Sequence, residues 1–546
     1  MSKQKTISQK IILFVNILLF AVFLIFPMFI IGRTSLFDSD TITLSFYYEL
    51  LTENNIGTAF KNSTLISAAS GLLTTVLAFI PAYAINYTNI NIKFKKVFAT
   101  LITLPMLLPT ITYGFALMYS YGNAGLITKI LGFKIVNIYG AWGLIISYVI
   151  YTLPISFLLL NNSMRYIDKK FMIVSRLLGD APLKSFFVTV LRPLLNTLAI
   201  SFIQSFTLSF TDYGIPAALA GNIDLISIKL YSTMLGSLPN FNTGSAISVV
   251  MLLPSILSIS LIGWLNKYNI RYNKISKVEL KKNMVRDVVF AILTSALIAA
   301  ILSVFIVIFV TPLTKQWPYH LGLTLDTISR VFLDKTLMNV YKNSLFVSFF
   351  SALIGTLIVY GAALISARNE PLQKWGKLPD IVSLITNTIP GMVLGVGYMI
   401  AFKGTALQNT FLILILCNIV HLYSSPYLMI KDGLEKLNAS WETTARLMGD
   451  SWLKTVLRVI TPNVWTTLLE AFSYLFVNSM VTVSAIIFLA GTRTMIMTAK
   501  IKEFQHFAKF NEIFVLSILI LTTNLLIKGF IKALESVKFF CKIERK

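Results

Sequence analysis

Few side chains in this sequence can do chemistry, and those that can are scattered. Asp212, Glu470 and His421 are among the ionisable residues that fall inside long apolar stretches. A charge in hydrocarbon is costly, so such residues are candidates for lining a transport path. Asp212 falls in or at the outer end of its stretch, where it either faces a path or caps a helix end. Glu470 falls a turn or two into another stretch, within reach of a lysine or arginine in the preceding loop. His421 reads as a hydrogen-bonding group between helices. Asp38-Ser39-Asp40 is a D-x-D pair of the kind that holds a divalent metal, but Ser, Thr and Glu follow it closely, and it reads as a solvated loop. Two cysteines, Cys417 and Cys541, and three histidines, His320, His421 and His506, supply neither a disulfide framework nor a metal cluster. No G-x-x-x-x-G-K-[ST] occurs, so the chain lacks the loop that cradles ATP phosphates. Neither a catalytic constellation nor a metal site is expected.

The elements that carry these residues are apolar spans. Of 546 residues, 56% are hydrophobic and 13% charged, and the mean hydropathy is +0.75. Runs long enough to cross roughly 30 Å of hydrocarbon are expected near 11–32, 62–86, 97–120, 139–161, 195–220, 245–265, 287–311, 343–366, 379–402, 410–430, 463–490 and 511–531. The expected fold is all-α, a polytopic membrane protein of about 12 transmembrane helices. With the N-terminus in the cytoplasm, 32 of the 47 Lys and Arg fall in cytoplasmic segments and 14 in outer ones. That bias obeys the positive-inside rule and puts both termini in the cytoplasm. The net charge of +24 therefore orients the chain in a lipid bilayer and requires no nucleic acid. Lys3, Lys5 and Lys10 before the first run resemble a signal peptide, yet the run is too long and no small-x-small cleavage site follows, so it reads as an uncleaved span.

The chain also repeats itself. Asn62-Ser63 and Asn343-Ser344 lie 281 residues apart, and Pro109 and Gly114 match Pro390 and Gly395 at the same offset. Tyr151-Thr152-Leu153-Pro154 matches Tyr423-Ser424-Ser425-Pro426 at offset 272. SRLLGDAPLKSFFVTVLRP (175–193) and ARLMGDSWLKTVLRVITP (445–462) follow at offset 270. Order and spacing are kept, which predicts two fused copies of one unit. The halves are 1–265 and 287–546, joined by a basic cytoplasmic linker, 266–286. Six spans per half return the chain to its starting side, so the halves form parallel repeats. Proline- and glycine-bearing stretches at 105–109 and 390–397 are expected to break helices.

The two polar stretches are the strongest signal. Aligned without gaps they share Arg176/Arg446, Leu177/Leu447, Gly179/Gly449, Asp180/Asp450, Leu183/Leu453 and Lys184/Lys454. Asp168 and Asn438 upstream are good helix starters. The pattern predicts a helix, a Gly-Asp turn, a short helix and a proline leading back into the membrane. Glycine permits a positive φ, and the aspartate is placed to cap the second helix. Each half thus shows one charged protrusion with exposed leucines on the cytoplasmic side, which predicts a partner with two equal sockets. Ordinary amphipathic connectors would look alike by duplication alone, but the spans have diverged far more than these loops.

These loops resemble the EAA loop of binding-protein-dependent ABC importer permeases. In the second copy Gly449 to Pro462 spans 13 positions, as the family pattern requires, and the first copy is one residue longer, Gly179 to Pro193. The EAA letters read Ile173-Val174-Ser175 and Thr443-Thr444-Ala445, so only Ala445 is kept and the motif's glutamate is not carried over. SFTDYGIPAALAG (209–221), LPNFNTGSAISVVMLLP (238–254), KQWPYHLGLTL (315–325) and FVNSMVTVSAIIFL (476–489) are similar to segments of ferric-iron and 2-aminoethylphosphonate permeases, and the fused halves also resemble thiamine permeases. The resemblance implies the type I ABC importer permease fold in a bacterial inner membrane. It implies that Arg176, Leu177, Gly179, Asp180, Leu183, Arg446, Leu447, Gly449, Asp450 and Leu453 dock onto two copies of an ATPase subunit that holds ATP and Mg, while this chain binds no cofactor. It further implies cargo delivery by an extracytoplasmic binding protein and alternating access driven by ATP.

Two rival readings follow from the residues. A twelve-span secondary transporter would need coupling carboxylates near the midplane, and few acids are available. A membrane glycosyltransferase would rest on the D-x-D pair alone.

Overall fold

Prolines and rows of small residues set the shapes of the helices. The structure, a computed structural model, describes residues 2–38, 41–52, 55–267, 282–317, 319–368 and 376–543. Among these residues the fold is all-α, with strand confined to two short hairpins, Phe37–Asp38 with Thr41–Ile42 and Thr314–Gln316 with His320–Leu323. Eight helices are long and apolar enough to cross a membrane: Ile7–Leu36, Ile56–Tyr87, Ala141–Arg165, Pro182–Thr211, Phe241–Leu265, Met284–Leu313, Lys335–Arg368 and Phe510–Ser536. Three bent pairs bring the total to 11 if each is one span. The remaining expected span, 463–490, holds helix Trp465–Val481, whose 17 residues reach roughly 26 Å. Exposed faces carry Phe29, Leu72, Leu257, Leu357 and Leu526, as a lipid-facing surface requires.

The bends follow from local chemistry. Helices Ile92–Leu107 and Thr110–Leu131 meet at 107°, and Leu378–Thr388 and Gly391–Ala401 at 100°. Leu108 and Ile389, just before Pro109 and Pro390, are extended, because the proline ring excludes the residue before it from the helical region. The third pair, Phe411–His421 and Ser424–Glu435, bends by 56°. The matching Tyr151 and Pro154 of the first half lie within the continuous helix Ala141–Arg165, so this repeat mark is shaped differently in the two halves.

Gly114 and Gly395 allow close packing after each bend. A Cβ on Gly114 would lie 2.4 Å from the Ala218 Cβ, and one on Gly395 would lie 2.3 Å from the Ala485 carbonyl oxygen. Ala218 sits in helix Gly214–Leu219 and Ala485 in the turns after helix Trp465–Val481. The spacing of the glycines after each proline is therefore a packing requirement.

Helices Ile56–Tyr87 and Lys335–Arg368 repeat one small-residue face. Ser63, Ser67, Ser70, Thr74, Ala78 and Ala82 are buried on the first, and Ser344, Ser348, Ser351, Gly355, Val359 and Ala363 on the second. Small side chains let backbones approach, and hydroxyls bond across the contact at about 0.6 kcal/mol each. Thr74 bonds Thr152 at 2.9 Å, and Ser156 bonds Ser205 at 2.7 Å. The Asn-Ser pairs act as staples. Asn62 donates to the Asp224 carbonyl at 3.1 Å, and Ser63 accepts from the Ile226 N–H at 3.0 Å. Asn343 donates to the Met495 carbonyl at 3.0 Å, and Ser344 accepts from the Met497 N–H at 2.7 Å. Each pair thereby pins the start of a later helix, Ile226–Leu235 or Met497–His506.

Packing divides the chain into two compact units that cut across the sequence halves 1–265 and 287–546. One comprises residues 1–49, 230–252 and 329–546, the other 50–229 and 253–328. In the first unit, helix Ile7–Leu36 packs on second-half helices. Phe20 meets Tyr423 edge-on at 4.6 Å, Phe23 stacks on Phe402 at 5.5 Å, and Gly397 faces Pro27, Met28 and Ile31. In the second unit, helix Met284–Leu313 packs on first-half helices through Phe290 on Tyr83 at 4.4 Å and Ser303 on the Tyr121 hydroxyl at 2.7 Å. Each half lends its first helix to the bundle of the other. Of the linker 266–286, residues 268–281 lie outside the described residues.

Candidate functional site

The paired polar loops are built from local rules. Asp168 and Asn438 open them, each accepting at 3.0 Å from the N–H two residues on, Lys170 or Ser440. This bond to a following N–H is what suits Asp and Asn to helix starts. Helices Lys170–Leu177 and Ser440–Leu447 follow. Both end at a left-handed glycine, with φ +82° at Gly179 and +83° at Gly449. Past the glycine the chain folds back. The Asp180 N–H donates to the Ser175 carbonyl at 3.1 Å, and the Asp450 N–H to the Ala445 carbonyl at 3.0 Å. Closing a helix this way needs a left-handed residue inside the turn, and glycine adopts it at least cost.

The aspartates depart from expectation. The sequence predicts that they cap the next helix, and their side chains do not. The N-cap positions are Ala181, which makes no side-chain bond, and Ser451, whose hydroxyl accepts from the Lys454 N–H at 3.4 Å. The cap falls one residue later because the short helices begin at Pro182 and Trp452, leaving each aspartate one turn from a lysine. Asp180 sits 2.6 Å from Lys184, and Asp450 pairs with Lys454 in the same way. The helices Pro182–Phe186 and Trp452–Thr455 differ by one residue, which absorbs the extra position of the first copy. Wide turns, Phe187–Leu191 and Val456–Ile460, then lead into Pro193 and Pro462. A proline cannot donate, and the wide turn before it takes up the missing bond.

Hydrogen bonds from Lys184 and then Ser175, whose hydroxyl lies 2.8 Å from Asp180 Oδ2, hold the Asp180 carboxyl below its ordinary value. A carboxyl lowered in the fold steadies it while ionised, and that contribution is lost as pH falls through the folded value. The first turn is therefore expected to loosen on the acid side of the usual carboxylate range and to stay firm at neutral pH. Amide exchange at Gly179 and Asp180 across pH checks this, and Asp180→Asn is expected to exchange fast at every pH.

The loop tips are apolar and open. Leu177 and Leu447 are 81% and 83% exposed, and Leu183 and Leu453 are 84% and 55% exposed. Arg176 and Arg446 lie on the two helices, and their side chains fall outside the described residues. An exposed leucine ridge between charged groups is suited to insertion into an apolar groove of another protein.

Two attachments hold these loops that sequence reasoning missed. In the second half, Arg368 donates to the carbonyls of Leu434 and Leu437 at 2.5 and 2.6 Å and faces Glu442 at 3.8 Å. In the first half, the Lys169 ammonium lies over the Tyr87 ring at 5.6 Å, and burial lowers the Lys169 pKa. A lone arginine ending a 34-residue apolar helix was the available signal for Arg368.

The path candidates separate. Asp212 ends helix Pro182–Thr211 and caps the start of helix Gly214–Leu219: its Oδ2 accepts from the Ile215 N–H at 2.9 Å. Glu470 is exposed on helix Trp465–Val481, within electrostatic reach of Glu535. The ring of His421 packs against Gly391 at the second bend, and its Nδ1 meets no hydrogen-bond partner among the described residues. Asp212 and His421 thus each sit where a helix ends. Of the D-x-D pair, Ser39 and Asp40 lie outside the described residues. No group of three or more His, Cys, Asp or Glu able to hold a metal occurs among the described residues.

Residues 74–271 and 359–537 each match the family described as binding-protein-dependent transport system inner membrane component, and each match contains one Gly-Asp turn. The ferric transport system permease protein FbpB of Actinobacillus pleuropneumoniae is 26% identical over 487 residues, covering 85% of this chain and 69% of that protein. The spermidine/putrescine transport system permease protein PotC homolog of Mycoplasma genitalium is 25% identical over 237 residues, 43% of this chain and 79% of the relative. The sulfate transport system permease protein CysT of Synechococcus elongatus is 25% identical over 239 residues, 43% of this chain and 85% of the relative.

Proposed function

Since the chain belongs to the binding-protein-dependent transport system inner membrane components, we propose that it is a fused two-half permease of an ATP-driven importer for ferric iron. The observation that carries this reading is the family match in two copies, each with its own exposed leucine turn. Such relatives are transport permeases, and catalysis belongs to a partner. Two copies of an ATPase subunit seat on the turns around Gly179 and Gly449, one per half, at the cytoplasmic face. ATP binding draws the turns together and opens the bundle outward to a loaded binding protein. Hydrolysis resets it inward.

Ferric iron leads as cargo because the ferric relative aligns across both halves, whereas the spermidine/putrescine and sulfate relatives each align over less than half of the chain. A 2-aminoethylphosphonate cargo is the second reading, supported by the resemblance of segments 209–221 and 476–489. The chain resides in a bacterial inner membrane with both termini in the cytoplasm. Uptake of radioactive ferric iron by cells lacking the chain, with and without complementation, tests the proposal. Restoration by the wild type supports iron. Uptake unchanged by the deletion removes iron and makes phosphonate the cargo to assay.

A further inference from the structure

Arg368 joins three segments that lie far apart in sequence. It ends helix Lys335–Arg368. Its guanidinium reaches the Leu434 carbonyl at the end of helix Ser424–Glu435, the Leu437 carbonyl just beyond, and Glu442 in the first turn of helix Ser440–Leu447. The side chain is 7% exposed. Nη2 donates to both carbonyls, while Nε faces the Glu442 carboxylate at 3.8 Å as an ion pair beyond hydrogen-bond length; the guanidinium stays charged and holds both contacts at once. The Leu434 carbonyl also accepts from the Leu437 N–H at 3.1 Å, so the guanidinium adds to a turn that already closes the end of helix Ser424–Glu435.

The same helix is held at its other end. Asn343 and Ser344 fasten the Met495 carbonyl and the Met497 N–H. From Ser344 to Arg368 the helix rises roughly 36 Å. One uninterrupted helix therefore grips the start of Met497–His506 at one end and the second Gly-Asp loop at the other. The first half has the same plan with a softer inner end. Asn62 and Ser63 grip Asp224 and Ile226, but the far end is Tyr87, stacked on Tyr83 at 5.2 Å, with Lys169 over its ring. Pro81 lies inside that helix six residues before its end, where its ring removes one backbone donor. The position matching Glu442 is Met172.

We propose that Arg368 is a positioning residue that makes helix Lys335–Arg368 a rigid strut from the second docking loop to helix Met497–His506, so that the second half transmits ATPase motion more tightly than the first. This inference rests on the reading of the loops as ATPase docking elements. The two docking sites are alike on their surface and unlike in their attachment.

Spin-label distances in the full chain, with Cys417→Ala and Cys541→Ser, test it. One label pair is Leu357→Cys with Leu447→Cys, and the matching first-half pair is Val76→Cys with Leu177→Cys. Arg368→Gln is expected to broaden the 357–447 distances and leave the 76–177 distances sharp. Glu442→Gln, which keeps the carbonyl bonds, is expected to broaden 357–447 less. In the complex with its ATPase, Arg368→Gln is expected to raise ATP hydrolysed per ferric ion imported about fivefold. Unchanged 357–447 distances overturn the strut, and so does equal broadening of both pairs. If the wild-type complex imports no ferric iron, the cargo reading fails alone, and the two distance pairs still decide the strut.

Discussion

A chain carrying Gly179→Arg together with Gly449→Arg is expected to insert and fold but to lose most of its ATP-driven import. Both glycines hold a φ near +82°, where a residue with a Cβ is strained by about 1–2 kcal/mol. Apart from its two chain neighbours, no atom of a described residue lies within 4 Å of where either Cβ would stand, so the arginines project into open space there. A strain of that size at an exposed turn is small against the packing of the spans. The bulk instead projects beside Leu177, Leu183, Leu447 and Leu453, on the surface assigned to the ATPase. Transport is expected to fall on the order of 100-fold, the upper end of ordinary coupling energies. Asparagine tolerates the left-handed region, so Gly179→Asn with Gly449→Asn should keep most of the uptake. Membrane abundance by immunoblot, measured beside uptake, separates lost coupling from lost protein. Normal uptake by the double arginine variant would sink the docking assignment.

Gly114→Ala and Gly395→Ala are expected to be damaging single-methyl additions just after the two proline bends, and for different reasons. At Gly114 the new methyl meets another methyl, that of Ala218, at 2.4 Å. At Gly395 it meets a backbone carbonyl, that of Ala485, at 2.3 Å. Overpacking of this kind costs roughly 1–3 kcal/mol. A side chain can be removed and a carbonyl cannot. Ala218→Gly should therefore restore much of the stability lost in Gly114→Ala, while no side-chain substitution at position 485 should rescue Gly395→Ala. Thermal unfolding in detergent reads both. Equal stability of Gly395→Ala and wild type would mean that the second bend does not press on the turns after Val481.

Much of this was legible in the sequence because the deciding physics is local. Hydrocarbon thickness sets the length of an apolar run, a proline forces the preceding residue to extend, and a helix that reverses at once needs a left-handed residue. The spans, the bends at Pro109 and Pro390 and the turns at Gly179 and Gly449 follow from these constraints. The aspartates of the turns were misread because capping and ion pairing suit the same residue type. Which one occurs depends on whether the helix starts at the next position or the one after, and Pro182 and Ser451 moved that start.

By itself the sequence determined that the chain lies in a membrane, is built twice and presents one Gly-Asp turn per half, because each of these depends on residues within a few turns of one another. Only the tertiary structure decided which helices pair. Helix Ile7–Leu36 packs on the second half and Met284–Leu313 on the first, and Arg368 reaches Glu442 across 74 positions. Apolar helices of similar length are chemically interchangeable in lipid. Their partners are chosen by how rows of small residues and single buried polar groups fit across a contact, which no local pattern encodes.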